Sequence, residues 1–464
     1  MAGIQYAGEY NLDEATLITS SGLSVDLRDS IFQVDIFEEL NKFSISGSIT
    51  VFDTNNILTK GQANGQDYLL LKITTPGIEN FAKIDYSKNA LCIYRIGQRF
   101  DTSKNSEVFE LSFCSPEMLL NKRLRISKSY TDTNSNIIKK LLKDKTLLNV
   151  KKQITLEPTL DTRKYVVPNL HPFDFIAQLM RDSRSAIFEG SPHYYFYETT
   201  QGFHFRTLQS LYNQDVSMEY NDGDVGLLEG GTSKTVNVEE EFKRVINFSI
   251  SSNADQLLNV MGGMLGANTI KYNSYNKSYE KINHSYFDNF KDFSHINGEN
   301  RNLDNPIYTE SEIDENGNNL GSFTNSKIHL HPVHTDIDGR DATFYNYNTS
   351  SYSYSENHTS KNILYRKSKL FELESAISAT MKVNGYCMQE VGQIVNLNRP
   401  DSGGELDAEY SGKFLVYKLR HTFRQADRKH EVIMSLVKDS STGKEDGPNR
   451  IPKSSGGALF ELTS

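Results

Sequence analysis

The chain has 464 residues and a formal net charge of -9, with 37% hydrophobic and 23% charged residues. This length exceeds what one hydrophobic core usually serves, so two or more domains are expected. No stretch approaches the roughly 18 apolar residues that span a bilayer, and a negative chain without clustered Lys and Arg is not suited to wrapping nucleic acid.

Strict alternation between apolar and small hydroxyl residues marks the first clear strand, at residues 43–51. A period of two predicts a strand with one buried face, and the DTNN sequence at residues 53–56 predicts the turn that ends it. Further strands are predicted at residues 68–73, 90–96 and 108–113. Residues 1–113 are therefore expected to form an antiparallel β domain.

Helical spacing replaces the alternation in residues 114–193, which we expect to form an α+β insertion. Ser135 is predicted to cap one helix, and Pro172 is predicted to begin another. Residues 194–208 return to the pattern of a β-hairpin. The inward-facing residues predicted for the two helices are Ile137, Ile138, Leu141 and Leu142 in the first, and Phe173, Ile176, Leu179 and Met180 in the second.

Alternation resumes at Ile246, Phe248 and Ile250, where a second β domain is expected to begin. The stretch from 284 to about 362 is poor in aliphatic residues and predicts long loops. A helix carrying Leu370, Leu373, Ala376 and Ile377 is predicted next. Strands follow around residues 394–397, 413–419 and 431–437, and residues 441–464 are expected to form a flexible tail.

An internal repeat connects the two halves. Residues 91–113 align without gaps on residues 414–436, so that Tyr94 meets Tyr417, Phe100 meets Phe423 and Ser112 meets Ser435. In each half a strand led by a glycine precedes the repeat, from Gly65 and from Gly392. By itself this repeat fits either two copies of one β domain or a chance convergence of two generic β-hairpins, since few residues are identical.

The order of several passages resembles the baseplate hub proteins of contractile-tailed bacteriophages, which are related to the spike proteins of type VI secretion. The passages are SGLSVDLRDSIFQVDIFEELNKFSISGSITVFDTNN, VFELSFCSPEMLLNKRLRISKSY with SNIIKKLLKD, PFDFIAQLMRDSRS with YYFYETTQGFHFRTLQSL, and GKFLVYKLRHTFRQADRKHEVIMSLVKDS. The resemblance covers residues 8 to 440 except the polar stretch 284–362.

The resemblance implies a mainly β fold with α+β insertions, built from two similar antiparallel β-barrel tube domains that are each interrupted by an insertion. Tube domain I would comprise residues 1–113 and 194–245, interrupted by the insertion at 114–193. Tube domain II would comprise residues 246–285 and 380–440, interrupted by a polar, loop-rich insertion with a helix at 286–379.

The resemblance also implies a structural, non-enzymatic role in the virion. Three subunits would form a pseudo-sixfold ring that joins the sixfold tail tube protein to the threefold central spike protein and contacts the baseplate wedge proteins. DNA would pass through the lumen during genome ejection without specific binding, and no membrane insertion is expected. Residues 1–17 lack the pattern of a signal peptide, so assembly in the host cytoplasm is expected, with the tail baseplate as the final location.

Sequence motifs favour neither a catalytic nor a cofactor-binding site. The chain has no GxSxG and no HExxH motif. Cys92, Cys114 and Cys387 form no CxxC pair, which predicts reduced thiols rather than a disulfide framework or a cysteine zinc site. We therefore expect no catalytic residues, no cofactor and no bound metal.

Two alternative functions remain open from the sequence. His329, His331 and His334 could converge on zinc in a metal-dependent tail hydrolase, although Pro332 and the polar surroundings predict a solvated loop. The Tyr-rich run at 343–355 could instead serve a receptor-binding tail protein.

Overall fold

A computed structural model describes residues 4–442, apart from residues 55, 61–62, 104–105, 189–190, 223–236, 253–255, 274–276, 299–322, 334–345, 349–350, 354–358, 376, 401–405 and 408. His334 and residues 443–464 of the predicted tail therefore lie outside the described residues. No helix in the described part of the chain is long and apolar enough to cross a membrane.

The described chain is mainly β, as the sequence predicts, with helices concentrated between the strand-rich segments. The strands are β1 (Asn11–Ile18), β2 (Ser24–Asp26), β3 (Ile31–Glu39), β4 (Ser46–Asp53), β5 (Tyr68–Thr74), β6 (Lys83–Asp85), β7 (Leu91–Ser103), β8 (Ser106–Cys114), β9 (Ser129–Thr133), β10 (Gln153–Leu156), β11 (Thr162–Val166), β12 (Tyr194–Glu198), β13 (Gly202–Thr207), β14 (Val216–Asn221), β15 (Val245–Ser252), β16 (Gly266–Asn273), β17 (Ser278–Ser285), β18 (Ile328–Val333), β19 (Asn346–Asn348), β20 (Ser351–Ser353), β21 (Ile377–Asn384), β22 (Ile394–Asn398), β23 (Gly412–Arg424) and β24 (Lys429–Lys438). The helices are α1 (Ile57–Lys60), α2 (Pro116–Arg123), α3 (Asn134–Lys143), α4 (Pro172–Asp182), α5 (Leu208–Tyr212), α6 (Val238–Lys243), α7 (Gln256–Gly262), α8 (Tyr286–Asn289) and α9 (Thr359–Ser375), with short 3-10 turns at Phe290–Asp292 and Phe323–Asn325.

One large sheet of 14 strands forms the body of the protein. Its main path runs β15-β21-β24-β23-β3-β4-β8-β7-β5-β1-β2, with β6 paired to β5 and with β22 paired to both β14 and β23. Among the described residues this path is open and does not close into a barrel, so the antiparallel sheet is confirmed and the barrel closure is not observed.

The alternation seen in the sequence determines which face of this sheet is buried. On β4, Ile49 and Val51 are fully buried while Ser48 and Thr50 on the other face are partly exposed. Strand β4 ends at Asp53, where the predicted turn begins, and the Asp53 carboxylate accepts a hydrogen bond from the Ile57 backbone N–H of α1 at 2.6 Å. Separate apolar cores lie under the two ends of the sheet.

A third core belongs to the segment between β8 and β14. Helices α3 and α4 bury the predicted apolar residues there, together with Phe196 and Phe203 of the hairpin β12–β13. Strand β13 pairs in parallel with β10, so residues 194–207 share a three-stranded sheet with the insertion. Ser135 does not cap α3 as predicted. The helix begins at Asn134, so Ser135 lies inside its first turn, and the Ser135 hydroxyl accepts a hydrogen bond from the Thr159 N–H.

The second insertion contains more regular structure than its composition predicts. Helix α9 begins at Thr359, inside the stretch expected to be loop, and carries Leu370 and Leu373 as predicted. The prediction that Ile377 lies on this helix is wrong. It begins β21, because Ile377, Ala379, Met381 and Val383 alternate as a buried strand face.

Candidate functional site

The large sheet contains the same four-stranded unit twice. Unit one is the strand order β3-β4-β8-β7, and unit two is the order β15-β21-β24-β23. In unit one Ile49 lies opposite Leu111, and at the matching place in unit two Met381 lies opposite Met434. The sequence repeat therefore corresponds to a duplicated structure, which extends beyond the hairpin that the alignment covers.

The paired hairpins β7–β8 and β23–β24 share their register and a bulge. In both, the register shifts at a tyrosine, Tyr94 in β7 and Tyr417 in β23. A bulge adds one residue to one strand and is a specific feature rather than a generic property of hairpins. The matched cross-strand pairs are Ile93–Phe113 with Val416–Leu436, Arg95–Ser112 with Lys418–Ser435, and Ile96–Leu111 with Leu419–Met434.

The first strands of the two units match in the same way. In β3 the register shifts at Phe32, and in β15 it shifts at Ile246. Val34 then lies opposite Ile49, as Phe248 lies opposite Met381. Since two independent bulges recur at equivalent places, chance convergence does not account for the repeat.

The gapless sequence alignment fails in one stretch, beyond Ile96. Strand β7 has a second bulge at Gly97 and Gln98 that β23 lacks, which adds one residue. Phe100 pairs with Val108, and the residue that aligns with Val108 in unit two, Glu431, pairs with Thr422. Phe100 is therefore equivalent to Thr422, and not to Phe423 as the alignment predicts.

The two units join edge to edge within the chain, and we call this junction the internal seam. Residues 418–424 of β23 pair antiparallel with residues 33–39 of β3. Arg420 binds the buried Asp35 carboxylate through two nitrogens, at 3.0 and 3.1 Å, and the Thr422 hydroxyl donates to the same carboxylate at 2.8 Å. Sequence analysis did not identify this charged pair, because 385 positions separate its members and the only signal is their place on the polar face of two strands.

The face of the sheet opposite the cores is rich in small hydroxyl groups, and Phe37 and Phe52 are also exposed on it. Ser48 lies opposite Ser112 in unit one, and Thr380 lies opposite Ser435 in unit two. Charged groups on this face form ion pairs, which include Lys418–Glu39 at 2.9 Å, Lys382–Glu431 at 2.8 Å and the Arg420–Asp35 pair. The arrangement therefore offers a hydroxyl-rich wall on which these three cations are paired, and no cluster of unpaired cations among the described residues.

Solved structures share this architecture, although no protein-family model and no curated protein matches the sequence. A tail protein from Neisseria meningitidis MC58 is 10% identical with a TM-score of 0.50, and the match covers 93% of this chain and 97% of that one. The 43 kDa tail protein of prophage MuSo2 from Shewanella oneidensis is 9% identical with a TM-score of 0.50, over 92% and 99% of the two chains. The E. coli c3393 protein, a component of the type VI secretion system, is 9% identical at a TM-score of 0.42, over 93% and 76%.

The chain has the fold of these tail proteins. The family resemblance inferred from the sequence is thus confirmed at the level of the fold. Identities of 9–10% carry no residue roles from one protein to another.

A buried cluster of ionisable groups lies where α9 meets the end of β24. His295, Glu372 and Asp439 stand close enough to hold a metal ion. However, the Lys369 ammonium lies among them, 2.5 Å from Asp439 and 3.1 Å from Glu372. Its positive charge holds the pKa of Asp439 well below the usual range, although burial acts in the opposite direction. The cluster is therefore a structural ion network that already contains its cation.

Two of the three histidines considered for zinc binding lie on a strand, not on the predicted loop, and His334 lies outside the described residues. His329 and His331 belong to β18, which pairs in parallel with β16, and both side chains are partly buried. Burial and the nearby positive charges of Lys367 and Lys327 lower the pKa of His329. Neighbouring lysines also repel a metal cation, so this geometry does not favour the hydrolase alternative.

Two carboxyl groups, the buried Glu38 and the partly buried Glu390, lie together beside the internal seam. Glu38 accepts hydrogen bonds from the backbone N–H groups of Thr200 and Val391, at 2.7 and 2.9 Å. Burial, and then the negative charge of Glu390, raise the pKa of Glu38 to about 8, while burial raises the pKa of Glu390 to about 7. Glu38 thereby ties the seam strand β3 both to the hairpin β12–β13 and to the segment preceding β22.

This pair makes stability depend on pH. A folded-state pKa above the unfolded value of 4.5 means that the folded protein keeps a proton which the unfolded chain releases. The contribution of the protonated Glu38 to the free energy of unfolding is complete below about pH 4.5 and is lost as the pH rises through about 8. We expect Glu390→Gln to reduce the loss of unfolding free energy between pH 6 and pH 9 by about 1 kcal/mol, since Glu390 itself no longer titrates and Glu38 loses its negative neighbour.

Urea unfolding of the two proteins at several pH values measures this difference. The matched control is Glu240→Gln on exposed α6, which we expect to leave the pH profile unchanged. Parallel profiles for the wild type and Glu390→Gln would contradict the coupling of Glu38 to Glu390.

Proposed function

We propose that this chain is a structural baseplate hub subunit of a contractile phage tail. Three copies would form a ring of six sheet units that connects the sixfold tail tube protein to the threefold central spike protein, with wedge proteins around it. The observation that carries the proposal is the duplicated unit with its shared register and bulges. A threefold assembly of duplicated units is nearly sixfold toward one neighbour and threefold toward the other. The fold shared with phage tail proteins supports a structural role in the tail.

The domain division of the hub follows the duplicated units. We propose that β3 to β8 form the framework of the first tube domain, and that β15 with β21 to β24 form the framework of the second. The residues between β8 and β14 would form the first outer insertion, and those between β15 and β21 the second. Subunits would assemble in the host cytoplasm and reside in the tail baseplate of the virion.

The hydroxyl-rich face is the proposed wall of the DNA channel. A passing DNA molecule must not be retained, and retention requires unpaired cations that neutralise phosphates. The ion pairs at Lys418, Lys382 and Arg420 leave those cations already neutralised. We therefore propose that this face makes no specific DNA contact, and we propose no catalytic residues for the chain.

The mass of the purified full-length protein in solution tests this function. Native mass spectrometry at micromolar concentration should give a species of three chains, and electron micrographs should show a ring with near-sixfold symmetry. A protein that remains a single chain at high concentration, with or without its tube and spike partners, would refute the hub.

A further inference from the structure

The buried ion network around Lys369 holds an amine directly against a carboxyl group. Lys369 lies on α9 and Asp439 directly follows the last residue of β24, 70 positions away in the chain. Both side chains are at most 5% exposed, and the lysine Nζ atom lies 2.5 Å from the carboxylate oxygen Oδ2. Two groups held in this way have a very high effective concentration. Since bulk water is excluded, this arrangement suits the formation of an amide bond between the two side chains.

The other carboxylate oxygen of Asp439, Oδ1, is held by two hydrogen-bond donors. It accepts a hydrogen bond from the Ile296 backbone N–H at 3.1 Å and another from the Ser440 hydroxyl at 3.2 Å. When an amine adds to a carboxyl carbon, negative charge develops on the carbonyl oxygen, and fixed donors directed at that oxygen stabilise the charge. Oδ2 instead lies beside Lys369 and 3.0 Å from Nδ1 of His295. Oδ2 is therefore the oxygen placed to leave as water.

Glu372 is a third partner of the lysine and is placed to move protons. Its Oε2 atom lies 3.1 Å from Lys369 Nζ, and its Oε1 atom accepts a hydrogen bond from the Tyr286 hydroxyl at 2.8 Å. Burial raises the pKa of Glu372, which favours its protonated form. A carboxylic acid fixed beside an amine can accept a proton on one oxygen while it donates a proton from the other.

The ion pair seen in the structure is the state before reaction, because an ammonium group cannot attack a carboxyl carbon. Burial disfavours the charged forms of Lys369 and Asp439, but their mutual attraction raises the pKa of Lys369 and lowers that of Asp439. The ions therefore predominate. Transfer of one proton within the pair gives a neutral amine and a neutral acid, and a buried site makes this transfer less costly than it is in water.

We propose that Lys369 and Asp439 form an intramolecular isopeptide bond in the folded chain, with Glu372 as the proton carrier. One proton first moves from the Lys369 ammonium to Oδ2 of Asp439. The neutral amine then adds to Cγ of Asp439 and gives a proton to Glu372, while Glu372 gives a proton to Oδ2, which leaves as water. One C–N bond forms, one C–O bond breaks, and Glu372 ends in its original protonation state. The reaction is a self-modification without an external substrate, and it would tie the second insertion covalently to unit two.

The intact mass of the purified full-length protein, measured after denaturation, tests this bond. The wild type should be lighter than its sequence requires by the mass of one water. Trypsin should release a branched peptide that joins residues 368–382 to residues 439–444. Lys369→Arg should restore the full mass, because a guanidinium keeps the positive charge but does not deprotonate. Glu372→Gln should restore it as well, since an amide cannot carry the proton.

The matched control is Lys367→Arg, which should keep the mass deficit because Lys367 is exposed on the same helix. Far-UV circular dichroism of each variant shows whether a restored mass comes from a folded chain. A wild type of full mass that trypsin cleaves after Lys369 overturns the bond, and so does a deficit that persists in Lys369→Arg. A deficit that persists only in Glu372→Gln confirms the bond and overturns the role of Glu372. None of these results depends on the number of copies in the assembly, so the hub function is tested separately.

Discussion

Replacing Lys369 by Met should destabilise the protein by about 3–5 kcal/mol, the cost typical of removing one partner from a buried ion network. The side chains of Lys369 and Asp439 are at most 5% exposed, and Glu372 beside them is also buried. Without the ammonium, Glu372 loses its ion-pair partner and Asp439 keeps only the His295 imidazole, at 3.0 Å, in a site from which water is excluded. Methionine keeps most of the volume, so lost packing adds little.

Chemical denaturation monitored by circular dichroism measures this effect. Lys367→Met is the matched control, because Lys367 lies on the same helix with an exposed side chain, and we expect a change within about 0.5 kcal/mol. If Lys369→Met loses less than about 1 kcal/mol, the cluster is not held together by this cation.

Replacing Gly47 by Ala should destabilise unit one by about 3 kcal/mol, at the upper end for overpacking a core. A Cβ at Gly47 would lie 2.2 Å from Phe113 Cζ and 2.3 Å from the backbone oxygen of Asp35. At the matching place unit two has Ala379 opposite Leu436. The pair of a very small and a very large residue in unit one, Gly47 and Phe113, thus corresponds to a pair of intermediate sizes in unit two, Ala379 and Leu436.

The double variant Gly47→Ala/Phe113→Leu installs the pair of unit two in unit one. We expect it to recover part of the stability that Gly47→Ala loses, since the shorter side chain removes the contact with the ring but not the contact with the Asp35 backbone oxygen. Urea unfolding of both single variants and the double variant gives the coupling energy. Strictly additive losses would mean that the two units do not share their packing at this position.

Local patterns in the sequence were sufficient to predict most of the sheet. The alternation at 43–51 and the hairpins at 91–113 and 414–436 correspond to strands with the expected buried faces. The repeat is visible in the sequence at the two hairpins, because the strands of each hairpin follow one another directly in the chain. Its other half escaped detection, because in unit two the segment from Ser252 to Ile377 separates the two strands that match β3 and β4.

Long-range contacts account for most of what the sequence did not predict. Strand β18 forms in a polar stretch because β16 offers it an edge, which no local pattern indicates. The Asp35–Arg420 pair and the Glu38–Glu390 pair each join residues that only the folded sheet brings together. The misalignment of Phe100 has a local cause, since a bulge cannot be distinguished from regular strand by composition alone.

The second bulge in β7 makes the duplication imperfect in a useful way. In a ring of three copies, each junction within a chain would contain the Asp35–Arg420 ion pair. At each junction between chains, Gly97 would lie nearest to the place of Arg420, and Ser249 would lie in the place of Asp35. Two chemically different joints would alternate around the circumference and could not replace each other. The strand sequences would then determine the order of the units, and with it the threefold axis that a trimeric partner needs.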